Sequence, residues 1–208
     1  LATHYGLAVD AVAFLPIGAD AASAAFRVES TDGAAYFLKV RIGSGFSPPS
    51  LLAPYALRQQ GICQVLAPLP TLGGALWTRI DGFTISLFPL VAGCRAADGG
   101  LSPQQWAELG ATARQIHASQ LPPHLLSTLP RERFIPSRRA VVAHLDAAID
   151  SHVYSDPAQV ALAGFWRGRR QEIRSLAAQA DELARRLRQR SLPLVLCHAD
   201  LHTWNVLV

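Results

Sequence analysis

Leu194-Val-Leu-Cys-His-Ala-Asp-Leu-His-Thr-Trp-Asn-Val-Leu-Val208 is the stretch on which the reading of this 208-residue chain turns. An apolar run leads into His198-x-Asp200, Asn205 follows five residues after the aspartate, and a second apolar run comes next. The pattern predicts a strand, a polar loop and a strand. One loop then carries a carboxylate that can accept a proton and a neutral amide oxygen suited to a hard cation. Two other readings use the same residues. A plain polar turn needs no chemistry at all. Alternatively, His198, Asp200 and His202 alternate, so an extended segment would place all three on one face as a zinc or other transition-metal site.

Working outward, the first ninety residues read as β-rich. Ala24–Ser30 and Ala35–Val40 flank Thr31-Asp-Gly33, and Ala75–Ile80 and Phe83–Phe88 flank Asp81-Gly82, both turns of hairpin composition. With a first strand near Val12–Leu15, an antiparallel sheet of about five strands is expected. A helix near Ser50–Gln60 would be interrupted by Pro54. After Gly93 the character changes. Ser102-Pro-Gln-Gln105 has the form of a capping box, with Trp106, Leu109, Ala113 and Ile116 recurring at helical spacing behind it. Ser137–Ile149 reads as a second helix. Asp156-Pro157 opens a third, running to about Arg190, which Gly164 and Gly168 would split in two. The result is an α+β chain with a β-rich lobe over 1–92 and a mainly helical lobe over 93–208, the bilobal layout of a protein-kinase-like fold. A nucleotide would sit between such lobes.

Composition narrows the function classes. Residues 1–100 carry six basic and six acidic side chains and residues 101–208 carry thirteen and nine, so the net +4 lies in the second half. Arg167–Arg170 and Arg185–Arg190 dominate that excess. They read as a solvated helix face rather than a nucleic-acid surface, because no aromatic residues interleave with them. The longest uncharged apolar run, Phe83–Cys94, is too short for a membrane span and contains Pro89. Cys63, Cys94 and Cys197 are odd in number and irregular in spacing, which fits a reduced, cytoplasmic compartment.

Each remaining candidate has its own chemistry. Phosphoryl transfer to an alcohol needs the hydroxyl positioned, its proton accepted and the phosphate charge neutralised. Asp200 is the candidate base, Asn205 the candidate Mg²⁺ ligand, and His198 a brace for the loop. Lys39, the only lysine among nineteen basic side chains, ends the strand Tyr36-Phe-Leu-Lys39, where an ammonium could reach nucleotide phosphates. Between the first two strands, Gly18–Ala22 and Ser23 give a small-residue turn that phosphates could approach. The segment Leu87–Gly93, with Phe88 and Leu90, offers backbone groups to a base edge.

Taken together, Gly18-Ala-Asp-Ala-Ala-Ser-Ala, Phe37-Leu-Lys39, Leu87-Phe-Pro-Leu-Val-Ala-Gly93 and His198-Ala-Asp-Leu-His-Thr-Trp-Asn205 resemble the aminoglycoside phosphotransferase family. Gly61–Pro70 and Cys197-His-Ala-Asp-Leu-His202 look most like its spectinomycin phosphotransferase branch. The resemblance spans nearly the whole chain. It implies ATP- or GTP-dependent, Mg²⁺-dependent phosphorylation of a hydroxyl on a small polar molecule, with Asp200 as base, Asn205 as metal ligand and Lys39 on the phosphates. Ala199 replaces the arginine of a regulated protein kinase's His-Arg-Asp. Two departures stand out. No glutamate lies between Lys39 and Glu108, so the usual carboxylate partner of the lysine is absent. The second metal-binding aspartate and the acceptor-site helices that the resemblance implies would lie beyond Val208. With a leucine at position 1 and no methionine, the chain is expected to be part of a longer reading frame, with feeble phosphotransfer on its own.

Overall fold

The computed structural model describes residues 1–18, 20–43 and 45–208. It contains two compact units, one of Leu1–Leu129 with Val195–Val208 and one of Pro130–Leu194.

The first unit is built on a five-stranded antiparallel sheet. Its strands are β1 (Val9–Leu15), β2 (Ser23–Ser30), β3 (Ala35–Ile42), β4 (Thr78–Ile80) and β5 (Phe83–Pro89), in the order β1-β2-β3-β5-β4. The Asp81-Gly82 turn has φ of 49° and 82°, the left-handed pair that a two-residue hairpin demands. Strand β4 begins later than its composition suggested, because the Thr71 and Ala75 backbones close a turn on each other (2.7 Å). One face of the sheet buries Val28, Leu38 and Leu87, with Leu1, Tyr5 and Leu7 packed over them from the short helix α1 (Ala2–Tyr5) and the residues around it.

Helix α2 (Pro49–Gln59) runs through Pro54 without a break. A proline here forfeits one hydrogen bond, and burial of Leu51, Ala53 and Leu57 holds the helix in spite of it. Ala53 and Leu57 join Ile62, Ile116, Leu121 and Leu125 in a second core with α4 (Pro103–Ala118) and α5 (Pro123–Leu126). The start of α4 is the expected capping box: Ser102 Oγ accepts from the Gln105 N–H, and Gln105 Oε1 accepts from the Ser102 N–H at 2.8 Å. Between β5 and α4 lies the one-turn helix α3 (Ala96–Gly99).

The second unit pairs α6 (Arg139–Ser151) with α7 (Pro157–Arg188). Helix α7 is continuous for 32 residues, so Gly164 and Gly168 do not split it. Each glycine costs the helix about 1 kcal/mol relative to alanine. Packing of Ala163 and Trp166 on Ile149 offsets that cost. Asp146, 15% exposed, accepts from Trp166 Nε1 at 3.0 Å and pairs with Arg170 and Arg174. Arg167, Arg169, Arg185 and Arg186 are likewise ion-paired with carboxylates of the same unit.

The closing stretch departs from strand–loop–strand. Leu194–Cys197 forms no strand; Leu196 packs instead on the core shared by α2, α4 and α5. Past the loop, only an isolated bridge between Arg95 and Leu207 forms. This final segment is nevertheless tied down. The Cys94 and Val208 backbones exchange two hydrogen bonds of 3.0 and 2.9 Å, and the Ala96 N–H donates to the Val206 carbonyl at 2.9 Å.

Candidate active site

The loop around Asp200 is shaped by two local devices. Ala199 sits at φ 65°, a left-handed conformation uncommon outside glycine, and turns the chain between His198 and Asp200. A single 3₁₀ turn, Thr203–Asn205, follows; His202 caps it, Nδ1 accepting from the Trp204 N–H at 3.2 Å. These two turns bring Asn205 back onto Asp200. Asn205 Nδ2 donates to the Asp200 carbonyl at 2.9 Å and to Asp200 Oδ2 at 3.0 Å. The amide nitrogen is thereby committed to the aspartate, which leaves Asn205 Oδ1 for a hard cation. His202 Nε2 stands 3.5 Å from Asp200 Oδ1 and 3.2 Å from Asn205 Nδ2.

His198 makes no side-chain hydrogen bond among the described residues, and it is His202 that contacts Asp200 and Asn205. The transition-metal reading does not hold. The turn at Ala199 removes the extended alternation on which it depended, and no group of three His, Cys, Asp or Glu side chains among the described residues could hold a metal ion. A Mg²⁺ ion, by contrast, suits the donors that are present, one neutral amide oxygen beside one carboxylate.

Behind the loop, the Arg95 guanidinium lies 4.6 Å from the Trp204 ring centroid, and Arg95 pairs with Asp98 at 3.0 Å. Arg95 belongs to the segment bonded to Val206–Val208, so a side-chain stack and a backbone ladder hold the same turn from one side. Neither was evident in the sequence, because Arg95 and Trp204 are 109 positions apart.

Lys39 lies on β3, opposite Ala25 on β2 and Ser86 on β5. It is half-buried, and no carboxylate among the described residues forms a salt bridge with it. Burial lowers its pKa from the ordinary lysine value, Arg41 lowers it further, and Asp20 pulls it back up. Helix α2 contains no acid, as the sequence showed. In the β1–β2 loop, Gly18 is exposed at φ 97° and Ser23 donates to the Asp20 carbonyl. Ala19, part of the expected Gly18–Ala22 turn, lies outside the described residues.

At the end of β5, Phe88 faces Phe37 with ring centroids 6.1 Å apart. The Leu90 N–H is spent on the Ala35 carbonyl at 3.2 Å. Lys39 and Asp200 belong to the same compact unit. Two shallow depressions, of about 420 and 400 Å³, lie elsewhere on the sheet and include neither residue.

A lysine on the third strand of a five-stranded sheet and an Asp–Asn pair on a loop after a helical region define a kinase-like phosphotransferase fold. The chain belongs to the phosphotransferase enzyme family (APH), whose model matches residues 13–208. Spectinomycin phosphotransferase APH(9)-Ia, solved with ADP and spectinomycin, is similar over 100% of this chain, at 27% identity and a TM-score of 0.82. This chain spans 62% of the length of that protein. An amicoumacin kinase solved with AMP-PNP, Ca²⁺ and Ami (18% identity, TM-score 0.56, 97% of this chain, 56% of that one) shares the fold. So does a Plasmodium vivax ethanolamine kinase (13% identity, TM-score 0.51, 94% and 52%). No curated protein matches the chain.

Proposed function

We propose that the chain carries the nucleotide site and catalytic loop of an O-phosphotransferase. It would move the terminal phosphoryl group of ATP or GTP to a hydroxyl of a small polar molecule, an aminoglycoside or aminocyclitol such as spectinomycin. The observation that carries this reading is the Asp200–Asn205 pairing, which places a carboxylate and an uncommitted amide oxygen on one short loop.

In this reading Asp200 accepts the acceptor's hydroxyl proton as the oxygen attacks the terminal phosphorus, and the nucleoside diphosphate leaves. Lys39 holds the phosphates, with Gly18 of the β1–β2 loop and Ser23 at the start of β2 as further contacts. Residues 1–92 form the nucleotide lobe, and Phe88 and Leu90 border the base. Residues 93–208 form the lobe that carries the loop. Asn205 Oδ1 would hold Mg²⁺, which when bound supplies charge neutralisation on the phosphates. The loop is braced by His202, which contacts Asp200 and Asn205, rather than by His198. Three exposed thiols, Cys63, Cys94 and Cys197, accord with a reducing cytoplasm. No described helix is long and apolar enough to cross a membrane.

The missing glutamate favours a second reading, a module that binds nucleotide without transferring phosphate. Thermal unfolding with MgATP or MgGTP tests what the two readings share. Ligand at a hundredfold excess over its Kd should stabilise the fold by about 2.7 kcal/mol. No shift at millimolar nucleotide would sink both. Nucleotide consumption with a panel of aminocyclitols, choline, homoserine and sugar derivatives then separates them. That assay should be run on the chain and on any longer product of its gene.

A further inference from the structure

Strand β3 carries a second cation on the lysine's face. Arg41 follows Lys39 by two residues, so both side chains project from the same side of the sheet. Arg41 sits opposite Ser23 on β2 and Thr84 on β5, one step along from the lysine. Its Nη2 donates to Asp20 Oδ2 at 2.8 Å and its Nη1 to the Gly45 carbonyl at 3.2 Å. Asp20 is part of the β1–β2 loop. Its other carboxylate oxygen accepts the Ala22 N–H at 3.0 Å, and its carbonyl accepts the Ser23 N–H at 3.0 Å. The loop thus presents a carboxylate to a face that carries Lys39, Arg41 and Arg79, with Arg27 already paired to Glu29. The Ala22 N–H, and then Arg41, hold the Asp20 carboxyl below the usual range, so it is ionised at neutral pH.

We propose that Arg41 is a second phosphate-binding cation beside Lys39, and that Asp20 occupies its guanidinium until the polyphosphate of a nucleotide takes that place. The inference rests on the nucleotide reading above. A guanidinium fork matches carboxylate and phosphate oxygens alike, so one can stand in for the other. The pair is also open to exchange: the Arg41 and Asp20 side chains are 25% and 44% exposed. A partly hydrated ion pair of this kind is weak and readily broken. Asp20 also supplies from the loop the nearby negative charge that helix α2 lacks. Arg41 therefore tethers the loop while the site is empty and recruits phosphate when it fills.

Calorimetric titration with the Mg²⁺ complexes of ATP and ADP, and with AMP, tests this. Arg41→Gln should weaken ATP by about tenfold and leave AMP within about twofold, because the effect grows with phosphate number. Asp20→Asn keeps an oxygen for the Ala22 N–H but loses the charge, and should tighten ATP by about threefold. Equal loss of AMP and ATP in Arg41→Gln, or weaker ATP binding in Asp20→Asn, would overturn the proposal and leave the nucleotide reading standing. A wild-type protein that binds none of the three nucleotides would overturn both. If Arg41→Gln fails to fold, Arg41→Lys, which keeps the charge and loses the fork, should show a smaller loss with the same dependence on phosphate number. A loss in Arg41→Lys that ignores phosphate number would refute it.

Discussion

Lys39 and Asp200 are held in opposite ways. The lysine sits in the central strand of the five, with its backbone paired on both sides and its side chain half out of water. The aspartate side chain is 74% exposed, on a loop fixed by one amide, one imidazole and a short backbone strap. A sheet fixes the cation as a by-product of folding, whereas the base depends on a few local contacts that can be removed singly. The most direct way to break the contrast is at the base itself. Asp200→Asn keeps the shape but cannot take up the hydroxyl proton. It should lower kcat by about a thousandfold while leaving ADP affinity unchanged. Unchanged turnover would remove Asp200 from its role.

The strap is the next largest test. Gly93 sits at φ 150°, and a Cβ placed there would lie 2.6 Å from the Val208 carbonyl oxygen. Backbone atoms on both sides leave no flexible group to yield. Gly93→Ala should cost about 2 kcal/mol through strain and loss of the Cys94–Val208 pairing. Amide hydrogen exchange should show the damage at Cys94, Ala96 and Val208, with the Lys39 region of β3 still protected. Loss of protection in β3 as well would mean that the two regions unfold as one and would erase the contrast.

The same contrast explains what was legible in the sequence. Hairpin turns such as Asp81-Gly82 and the Ser102–Gln105 capping box are written in adjacent residues, so the sheet and the start of α4 could be read in advance. The Asp200–Asn205 spacing was equally visible. What escaped depends on contacts between distant residues or on backbone torsion. The apolar run Leu194–Cys197 read as a strand, yet apolarity alone does not say whether a partner strand lies alongside, and Leu196 is buried against helices instead. Pro54, Gly164 and Gly168 read as breaks because local preference was weighed without the packing that overrides it. The left-handed turn at Ala199 carries no compositional signal at all, and the Arg41–Asp20 pair spans 21 positions.

The smallest expected effect sharpens the contrast from the lysine's side. Lys39→Met removes the ammonium and should weaken ATP by about tenfold, the size of one charge-assisted phosphate contact. It should not destabilise the fold, because burial already disfavours the charged form. The pH dependence carries the sign. Below the lowered pKa of Lys39, folded and unfolded chains both hold the proton, and the burial penalty is present in full. Between that pKa and the ordinary 10.5, the unfolded chain holds more protons, so stability rises with pH. Lys39→Met should lack this rise in stability. Over the same alkaline window nucleotide affinity should fall in the wild type, since the ammonium that grips phosphate is being lost. Stability and affinity moving in opposite directions with pH, and both becoming flat in Lys39→Met, would show one half-buried lysine behind the two effects. If they move together, the affinity change comes from unfolding and not from Lys39.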